Sequence, residues 1–319
     1  MKLFPILCNY YVTTRCNARC SFCNIHLGNG KDAESSDVLQ NLKQLRKLGV
    51  SFVDFTGGEP LLYKNIDQIL KAAKKLHFIT TLTTNCILYP EMAQKIRGLV
   101  DLLHFSLDSP FKHEHDAIRG VKCFDRVMES ISIAKSIGEN PDIIFTVNDK
   151  NVNRLYQMAT LAKKNRLILI INPEFNYFKN HGLSIETLDS IEKASSYPYV
   201  YVNKAILKLM KNGGNSRIRP RCRAMTTTIV ISPDNSLLVP CYHRAVKAVP
   251  INGDLNNVYR SLKGFTKLEG RFSFCQGCTI SCYFDPSFVY GFDTYFFLSN
   301  ISKLKYVWYK YIKIKKGRT

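Results

Sequence analysis

Three cysteines near the start of the chain have the spacing of a metal-binding loop. Cys16, Cys20 and Cys23 stand in the run RCNARCSFC, which is a C-x3-C-x2-C pattern. Three thiolates on one short loop can bind three irons of a [4Fe–4S] cluster and leave the fourth iron open to a small molecule. Because a cluster that only carries electrons is normally closed by four cysteines, the spacing favours chemistry at the open iron. A zinc site or a disulfide loop is the alternative.

The composition indicates a folded chain in a reducing compartment. The 319 residues are 45% hydrophobic and 12% aromatic, enough for one large domain and a small one. Most of the cysteines fall into two groups instead of a disulfide framework, so we expect reduced, metal-binding thiols in the cytoplasm. The N-terminal residues lack the features of a signal peptide, and no apolar run of about 18 residues predicts a membrane span.

Alternating apolar runs and amphipathic stretches predict repeated β/α units. Six consecutive units predict an α/β fold whose parallel sheet curls into a partial (β/α)6, TIM-like barrel. The predicted strands are Tyr10–Thr13, Phe52–Thr56, Phe78–Thr83, Leu102–Leu107, Ile143–Val147 and Leu167–Asn172. The predicted helices are Asp37–Leu48, Asn65–Leu76, Pro90–Arg97, Phe124–Ser136 and Asn153–Lys164, followed by Ile185–Ser195 and Asn203–Lys211.

Polar residues and glycines follow the first five predicted strands. In barrels of parallel strands the active site lies at the carboxyl ends of the strands, so we expect these residues to share one site. They are Cys16, the run GGEP (Gly57, Gly58, Glu59 and Pro60), Asn85, Ser106, Asp108 and Asn148.

The cysteine loop and GGEP together resemble the radical S-adenosylmethionine (radical SAM) enzymes. In that family the open iron chelates the amino and carboxylate groups of SAM, an electron from the cluster cleaves SAM to a 5′-deoxyadenosyl radical, and the radical abstracts hydrogen from a substrate. The resemblance implies catalytic roles for Cys16, Cys20 and Cys23 as cluster ligands. It also implies that Gly57–Pro60 holds the methionine amino group of SAM.

Other positions match the family more loosely. The resemblance implies that Phe22 lies near the adenine, that Ser106 and Asp108 bind the ribose, and that Arg119 binds the carboxylate of SAM. Asn85 and Asn148 are further candidates for SAM binding. For each of these residues, a solvated loop position or a helix cap is the alternative.

A second group of cysteines lies after residue 220 and consists of Cys222, Cys241, Cys275, Cys278 and Cys282. Two β-rich runs flank Pro233–Asp234–Asn235, a turn signal, and predict a hairpin that brings Cys222 and Cys241 together. The CQGC pair, Cys275 and Cys278, then completes a site of four thiolates. Such soft ligands suit an iron–sulfur cluster or zinc.

This group resembles the auxiliary-cluster domains of some radical SAM enzymes, called twitch in the short form and SPASM in the long form. The resemblance implies a second [4Fe–4S] cluster that assists the reaction, with Cys282 either replacing Cys278 or lying unligated nearby. We expect a radical SAM barrel over residues 1–200, the auxiliary-cluster domain over 201–285, and an aromatic and basic tail over 286–319.

The tail is predicted to be a basic helix. The chain carries a net charge of +20, which favours acidic partners, and no acidic residue follows Thr294. Three interpretations stay open: a helix packed on the barrel, an interfacial membrane helix, or, less favoured, a nucleic-acid contact. The apolar residues at helical spacing are Leu298, Ile301, Leu304, Trp308, Tyr311 and Ile314, and the basic residues include Lys315, Lys316 and Arg318.

The sequence therefore predicts a radical SAM enzyme that acts on a C–H bond of an unidentified substrate. A peptide or protein, a small polar metabolite, and a lipid or isoprenoid drawn from the membrane are the substrate classes left open. The resemblance implies an electron donor of the flavodoxin or ferredoxin type. A non-catalytic iron–sulfur electron-transfer protein is the remaining alternative, and GGEP argues against it.

Overall fold

Ten strands form a single sheet in the computed structural model, which describes residues 4–177 and 181–313. The order across the sheet is β10-β9-β8-β1-β2-β3-β4-β5-β6-β7. The strands are β1 Leu7–Thr13, β2 Phe52–Gly57, β3 Ile79–Thr84, β4 Leu102–Ser106, β5 Asp142–Val147, β6 Leu169–Pro173, β7 Val200–Tyr201, β8 Thr228–Ile231, β9 Ser236–Val239 and β10 Lys247–Pro250.

Strands β1 to β7 pair in chain order, and every pair is parallel. The register begins with Leu7 opposite Phe52, so the carboxyl ends of successive strands meet at one edge of the sheet. The six predicted strands are all present, with ends shifted by at most a few residues. The partial-barrel prediction is therefore confirmed, and the two-residue strand β7 extends it.

The helices that connect these strands bury one apolar face each. In α1, for example, Val38, Leu42 and Leu45 recur at helical spacing and are buried. The helices are α1 Ser35–Lys47, α2 Ile66–Lys75, α3 Tyr89–Ile96, α4 Lys112–Arg119, α5 Phe124–Ser136, α6 Leu155–Asn165, α7 Ile185–Ala194, α8 Lys204–Lys211, α9 Ala224–Thr227, α10 Leu255–Ser261, α11 Lys263–Thr266, α12 Ser281–Phe288 and α13 Thr294–Val307.

Helix α4 was not predicted. Its sequence, KHEHDAIR, is mostly polar, and the residues that it buries are His115 and Arg119. A search for apolar periodicity does not detect a helix whose inner face is polar. The helix ends at Gly120, whose φ of 64° makes it a left-handed C-terminal cap.

The hairpin predicted between Cys222 and Cys241 is formed by β8 and β9, which are antiparallel. It does not stand apart from the barrel, because β8 also pairs in parallel with β1, from Leu7 opposite Thr228 onward. All four residues of β8 are buried, which is typical of a strand with partners on both sides. The hairpin therefore continues the barrel sheet.

Helix α13 packs on α8 and β7, and a π-helical turn at Trp308–Lys313 follows it. The buried Lys310 ammonium lies 2.5 Å from Asp142 Oδ1, and the Tyr306 hydroxyl donates to Asp142 Oδ2 over 2.6 Å. The predicted tail residues Ile314, Lys315, Lys316 and Arg318 lie outside the described residues. No helix in the described ranges is both long enough and apolar enough to cross a bilayer.

Candidate functional site

The first three cysteines lie together in the loop after β1. Cys20 is buried, and Cys16 and Cys23 are half-buried. Burial, together with the negative charge of Glu59 and of the other two cysteines, raises the pKa of Cys16 to about 11. Burial raises the pKa of Cys23 as well, with a contribution from Cys20. The three thiols are therefore near enough to affect one another's ionisation.

Two glycines at the end of β2 pack directly on this loop. Gly57 has a φ of +142°, and a Cβ atom added to it would lie 1.9 Å from the Thr13 carbonyl oxygen. A Cβ atom on Gly58 would lie 2.1 Å from the Arg15 carbonyl oxygen and 3.0 Å from the Cys16 Cβ. Only glycine permits such an approach, so GGEP is required by the cysteine loop itself.

Glu59 is buried, and its carboxylate accepts three hydrogen bonds from the chain. The donors are the Leu61 amide (3.1 Å), the Thr84 hydroxyl (2.8 Å) and the Asn85 amide (2.8 Å). Burial raises the pKa of Glu59 to about 7, although these bonds act to lower it. Glu59 therefore ties the loop after β2 to the loop after β3, and Pro60 begins a short 3-10 turn behind it.

Asn85 extends the same network to the cysteine loop. Its side-chain amide donates to Asn17 Oδ1 over 2.7 Å. Its own Oδ1 accepts from the Ile87 amide over 3.0 Å. The ends of β1, β2 and β3 are thus joined through Glu59 and Asn85.

Arg119, at the end of α4, covers the cysteine loop from the other side. Its guanidinium forms an ion pair with Asp108 (2.6 Å) and lies 3.7 Å from the Cys20 sulfur. It also lies over the Phe22 ring, 5.6 Å from the ring centre. The Arg119 Nε atom is buried and has no hydrogen-bond partner within the described residues, which leaves one donor for a ligand.

Asp108 is fully buried at the end of β4 and is held from three directions. In addition to Arg119, its Oδ1 accepts from the Thr146 amide over 3.0 Å. Its amide donates to His115 Nδ1 over 3.1 Å, and burial lowers the pKa of His115 to about 3. This imidazole is therefore neutral and serves as an acceptor. Ser106 is buried two residues before Asp108.

Asn148 behaves differently from the other predicted residues. Its Oδ1 accepts from the amides of Lys150 and Asn151, over 3.0 and 3.2 Å. These bonds make it the cap of the turn after β5. Thr146, two residues earlier, lines the cleft that is described next, and Asn148 does not.

A cleft of about 190 Å³ opens beside Phe22, Cys23 and Gly57 at this end of the barrel. Most of its wall comes from residues that the sequence did not single out, because aromatic and amide side chains carry no motif spacing. These residues are Tyr11, Asn24, Ile25, Thr146, Asn172, Glu174, Phe175, Tyr177, Tyr242 and His243.

Four cysteines of the second group line one small cavity: Cys222, Cys241, Cys275 and Cys278. Burial raises the pKa of all four thiols, in the case of Cys241 to about 12. Cys282 does not line this cavity. It faces a separate cavity in the barrel interior, together with Asp54 and His104, so the geometry favours Cys278 over Cys282 as the fourth member.

Asn215 holds three segments of the second group together, and sequence reasoning missed it. Its side-chain amide donates to the carbonyls of Gly270 (2.8 Å) and Cys275 (3.1 Å). Its Oδ1 accepts from the amides of Arg221 (2.9 Å) and Cys222 (3.3 Å). The preceding pair Gly213–Gly214, both with positive φ, is the only sequence signal that pointed to an unusual backbone here.

The cleft lies between the two cysteine groups. Tyr242, the residue after Cys241, stacks on Tyr11 of β1 with ring centres 3.8 Å apart and planes within 7°. Its backbone amide donates to the Tyr283 hydroxyl over 2.9 Å. Because Tyr242 and Cys23 both line the cleft, a molecule bound there is adjacent to both groups.

Both cysteine groups suit iron–sulfur clusters in their donor chemistry. All eleven cysteines are free thiols, and the groups offer three and four soft sulfur ligands. Arg244 also lines the second cavity, and its Nε is buried without a partner in the described part of the chain. A guanidinium at this position is suited to the negative charge of a thiolate-ligated cluster.

Comparisons with known proteins agree with this geometry. The family profile described as "Radical SAM superfamily" matches residues 10–162. A probable GTP 3′,8-cyclase of Saccharolobus solfataricus is 32% identical over 197 residues, which are 58% of this chain and 64% of that protein. A GTP 3′,8-cyclase of Clostridium botulinum is 33% identical over 163 residues, 48% of this chain and 51% of that protein. The chain thus spans less than two thirds of these curated relatives.

Solved structures share the fold over more of the chain. The structure titled "Native anSMEcpe with bound AdoMet" has a TM-score of 0.65 at 14% identity and covers 98% of this chain and 99% of that one. Streptococcus suis SuiB bound to S-adenosylmethionine has a TM-score of 0.62 at 18% identity, over 80% of this chain and 65% of that one. The family expected from the cysteine and glycine motifs is confirmed over residues 10–162, which match the radical SAM superfamily.

Proposed function

We propose that this chain is an enzyme in which Cys16, Cys20 and Cys23 bind a [4Fe–4S] cluster and Gly57 and Gly58 hold the methionine end of SAM. The observation that carries the proposal is the packing of Gly58 against Arg15 and Cys16, because it joins the two motifs into one site. When bound, the cluster and SAM supply a 5′-deoxyadenosyl radical that removes a hydrogen atom from an unactivated C–H bond.

The protein groups around this site bind and orient. Arg119 fixes Cys20 and Phe22 and offers its Nε to the carboxylate of SAM. Ser106 and Asp108 are proposed to bind the ribose, with His115 and Thr146 holding Asp108 in place. Glu59 and Asn85 act as positioning residues, because their described bonds go to the chain itself. Asn148 is a weaker candidate, since it caps a turn.

We propose that Cys222, Cys241, Cys275 and Cys278 hold a second [4Fe–4S] cluster. Support comes from the shared cavity and from Arg244, whose guanidinium lines it beside the four thiols. The cleft between the two groups would allow an electron left on the substrate to pass to this cluster. The eleven free thiols fit a reducing compartment, and we propose the cytoplasm.

A peptide is the substrate class that the cleft favours. Among its lining residues in the described part of the chain, Glu174 is the one carboxylate, and there is no lysine or arginine. A nucleoside triphosphate, the substrate class in the names of the curated relatives, is normally bound by cationic side chains. The aromatic wall of Tyr11, Phe175, Tyr177 and Tyr242 suits peptide side chains instead.

The test uses anaerobically reconstituted protein with SAM and dithionite, and follows 5′-deoxyadenosine by mass spectrometry. The parent protein is expected to form it, and C16A is expected to form none. Deuterium is expected to move into 5′-deoxyadenosine from a perdeuterated peptide mixture and not from deuterated GTP. The absence of 5′-deoxyadenosine would refute the enzyme, and transfer from GTP alone would refute the peptide.

We also propose that the tail contacts an anionic membrane surface, because its apolar row faces away from the protein. The exposed fractions are 57% for Phe297, 62% for Ile301, 69% for Leu304 and 45% for Trp308, whereas the buried face carries Ser299 and Ser302. Aromatic and aliphatic side chains beside lysines, with no acidic residue, match an interfacial helix.

Vesicles that contain phosphatidylglycerol test this contact by co-sedimentation. I301S/L304S is expected to lower the bound fraction at least about tenfold. The matched control, L27S/I185S, removes two exposed apolar side chains elsewhere and is expected to bind like the parent. Equal binding of the two variants would refute the contact, and dimer loss in I301S/L304S without any vesicle binding would assign the row to a second copy of the chain.

A further inference from the structure

A cleft beside the second cysteine group is lined mainly by basic side chains. We call it the arginine cleft and define it by Arg219, Arg221, Arg223, Lys267 and Arg271. Glu269 is its one acidic lining residue. The Glu269 carboxylate is buried and accepts hydrogen bonds from the Thr226 amide (3.0 Å) and hydroxyl (2.8 Å).

Most of the positive charge in the arginine cleft is not neutralised by the chain. Among the described residues, Arg221 is the only member in a salt bridge, and its partner is Asp293. Arg219, Lys267 and Arg271 are exposed. Such a concentration of one sign attracts an acidic partner over a distance of about 10 Å at moderate salt.

The segment that enters the cleft is held by hydrogen bonds and carries an exposed apolar side chain. Arg217 Nε donates to the Arg271 carbonyl over 2.9 Å, and Arg271 Nη1 donates back to the Arg217 carbonyl over 3.2 Å. Ile218, which lies between Arg217 and Arg219 in the chain, is 84% exposed. An apolar side chain surrounded by basic groups fits a small protein–protein contact with complementary charge.

Cys222 connects this surface to the thiolate cavity. It lines the arginine cleft and also the cavity shared with Cys241, Cys275 and Cys278. Gly270 lies so close that an added Cβ would be 3.4 Å from the Cys222 Cβ and 2.7 Å from the Pro220 Cβ. Only the Cys222 segment therefore separates the charged surface from the four sulfur atoms.

We propose that the arginine cleft is the docking surface for an acidic one-electron carrier protein, which exchanges an electron with the second cluster through Cys222. The proposal rests on the second cluster assigned under the proposed function. One electron moves between the carrier and the cluster, and no bond forms or breaks. Electron-transfer encounters use small interfaces steered by charge. A single-stranded nucleic acid fits less well, because the described residues that line the cleft include no aromatic ring for base stacking.

The experiment measures binding of a purified acidic flavodoxin to the reconstituted full-length protein by calorimetry, at several salt concentrations. The variant R219E/K267E reverses two exposed charges of the cleft. The matched control, K43E/K47E, makes the same charge change on the exposed face of α1. A second variant, I218S, removes the exposed apolar side chain and leaves the charge unchanged.

The cleft variant is expected to bind the flavodoxin about 10- to 100-fold more weakly and to lose most of the salt dependence, while the control changes less than about threefold. I218S is expected to weaken binding at all salt concentrations. Equal weakening in R219E/K267E and K43E/K47E would overturn the proposal, since net charge alone would then explain binding. If R219E/K267E lost binding to RNA but bound the flavodoxin like the parent, the proposal would also be overturned.

Stopped-flow oxidation of the reduced flavodoxin separates this proposal from the proposed function. R219E/K267E is expected to slow electron transfer from the flavodoxin and to leave SAM cleavage with dithionite at the parent rate. If the parent cleaves no SAM with dithionite, the enzyme assignment fails, whereas binding at the cleft is judged by calorimetry alone. If R219E/K267E also cleaves SAM more slowly than the parent when dithionite is the reductant, the cleft is not a docking surface.

Discussion

Both cysteine groups bring several thiols together, but the first uses one short loop and the second uses segments that are far apart in the chain. The first group places three thiols within eight residues of one loop and is braced from outside by Gly58 and Arg119. The second gathers four thiols from segments between Cys222 and Cys278 and has Asn215 at its centre. The first is a local structure supported by the barrel, and the second exists only when distant segments meet.

This difference matches the proposed tasks of the two groups. A site that must admit SAM needs one open position, and the first group borders an open cleft. A site that only passes electrons is best enclosed, and four thiols line the second cavity. Because the enclosed site depends on tertiary contacts, we expect its assembly to be coupled to folding of residues 215–278.

The strongest way to separate the two sites is G58A. The added Cβ would lie 2.1 Å from the Arg15 carbonyl, so the cysteine loop must move away from β2. Iron is expected to fall from roughly eight to roughly four per chain, with loss of the SAM-induced change in the electron paramagnetic resonance spectrum. The control is G264A, since Gly264 has no atom within 4 Å of an added Cβ. Full iron content in G58A would contradict the proposed packing role.

Replacing cysteines one at a time tests the membership of the second site. C222S is expected to lose about four irons and to keep the SAM response, because it removes one of four ligands. C282S is expected to keep roughly eight irons, since Cys282 faces the barrel interior. Iron and sulfide analysis measures the cluster content of both variants, and electron paramagnetic resonance spectroscopy measures their response to SAM. Loss of a cluster in C282S together with its retention in C278S would reverse the assignment.

What the sequence could predict about the two sites depends on how far apart along the chain the interacting residues lie. The first group, the GGEP run and the six parallel strands depend on short-range spacing and periodicity, and these are visible in one sequence. The joining of β8 to β1, from Leu7 opposite Thr228, depends on pairing across more than half of the chain. No local pattern carries that information.

The same limit explains the polar residues that were missed. Asn215 acts through its partners at Gly270 and Cys275, and an asparagine after two glycines is typical of any turn. In the tail, helical spacing of apolar residues predicted an apolar face, but it could not tell which way that face points. The helix turns Ser299 and Ser302 inward, where the Asn203 side-chain amide donates to the Ser299 hydroxyl and the Lys204 backbone amide donates to the Ser302 hydroxyl.

A smaller effect is expected from N215A, which leaves every cysteine in place. It removes four hydrogen bonds to the segments that carry Cys222 and Cys275, and buried groups that lose their partners cost about 1–3 kcal/mol each. The second cluster is expected to be lost to a chelator about 10- to 100-fold faster, with the first cluster unchanged. N257A, at an exposed asparagine on α10, is the control. Equal loss rates in N215A and the parent would show that Asn215 is not required.

The smallest expected difference between the sites is in the acidity of their thiols before metal is bound. Burial raises the pKa of Cys16 to about 11 and of Cys241 to about 12. Thiolate is the reactive form, and a raised pKa means less thiolate at any pH below it. In metal-free protein the alkylation rate at each site should therefore rise about tenfold per pH unit from pH ~7 to ~10.

Peptide mapping by mass spectrometry measures these rates residue by residue. Cys241 is expected to react more slowly than Cys16 throughout, because burial raises its pKa further and leaves less thiolate. A short cysteine peptide is the control, and its rate should level off near pH ~9. If the rates at Cys16 and Cys241 levelled off there too, burial would not control their ionisation. The enclosed second site would then be no less open to solvent than the first, and the contrast between an open and a closed site would have to rest on ligand number alone.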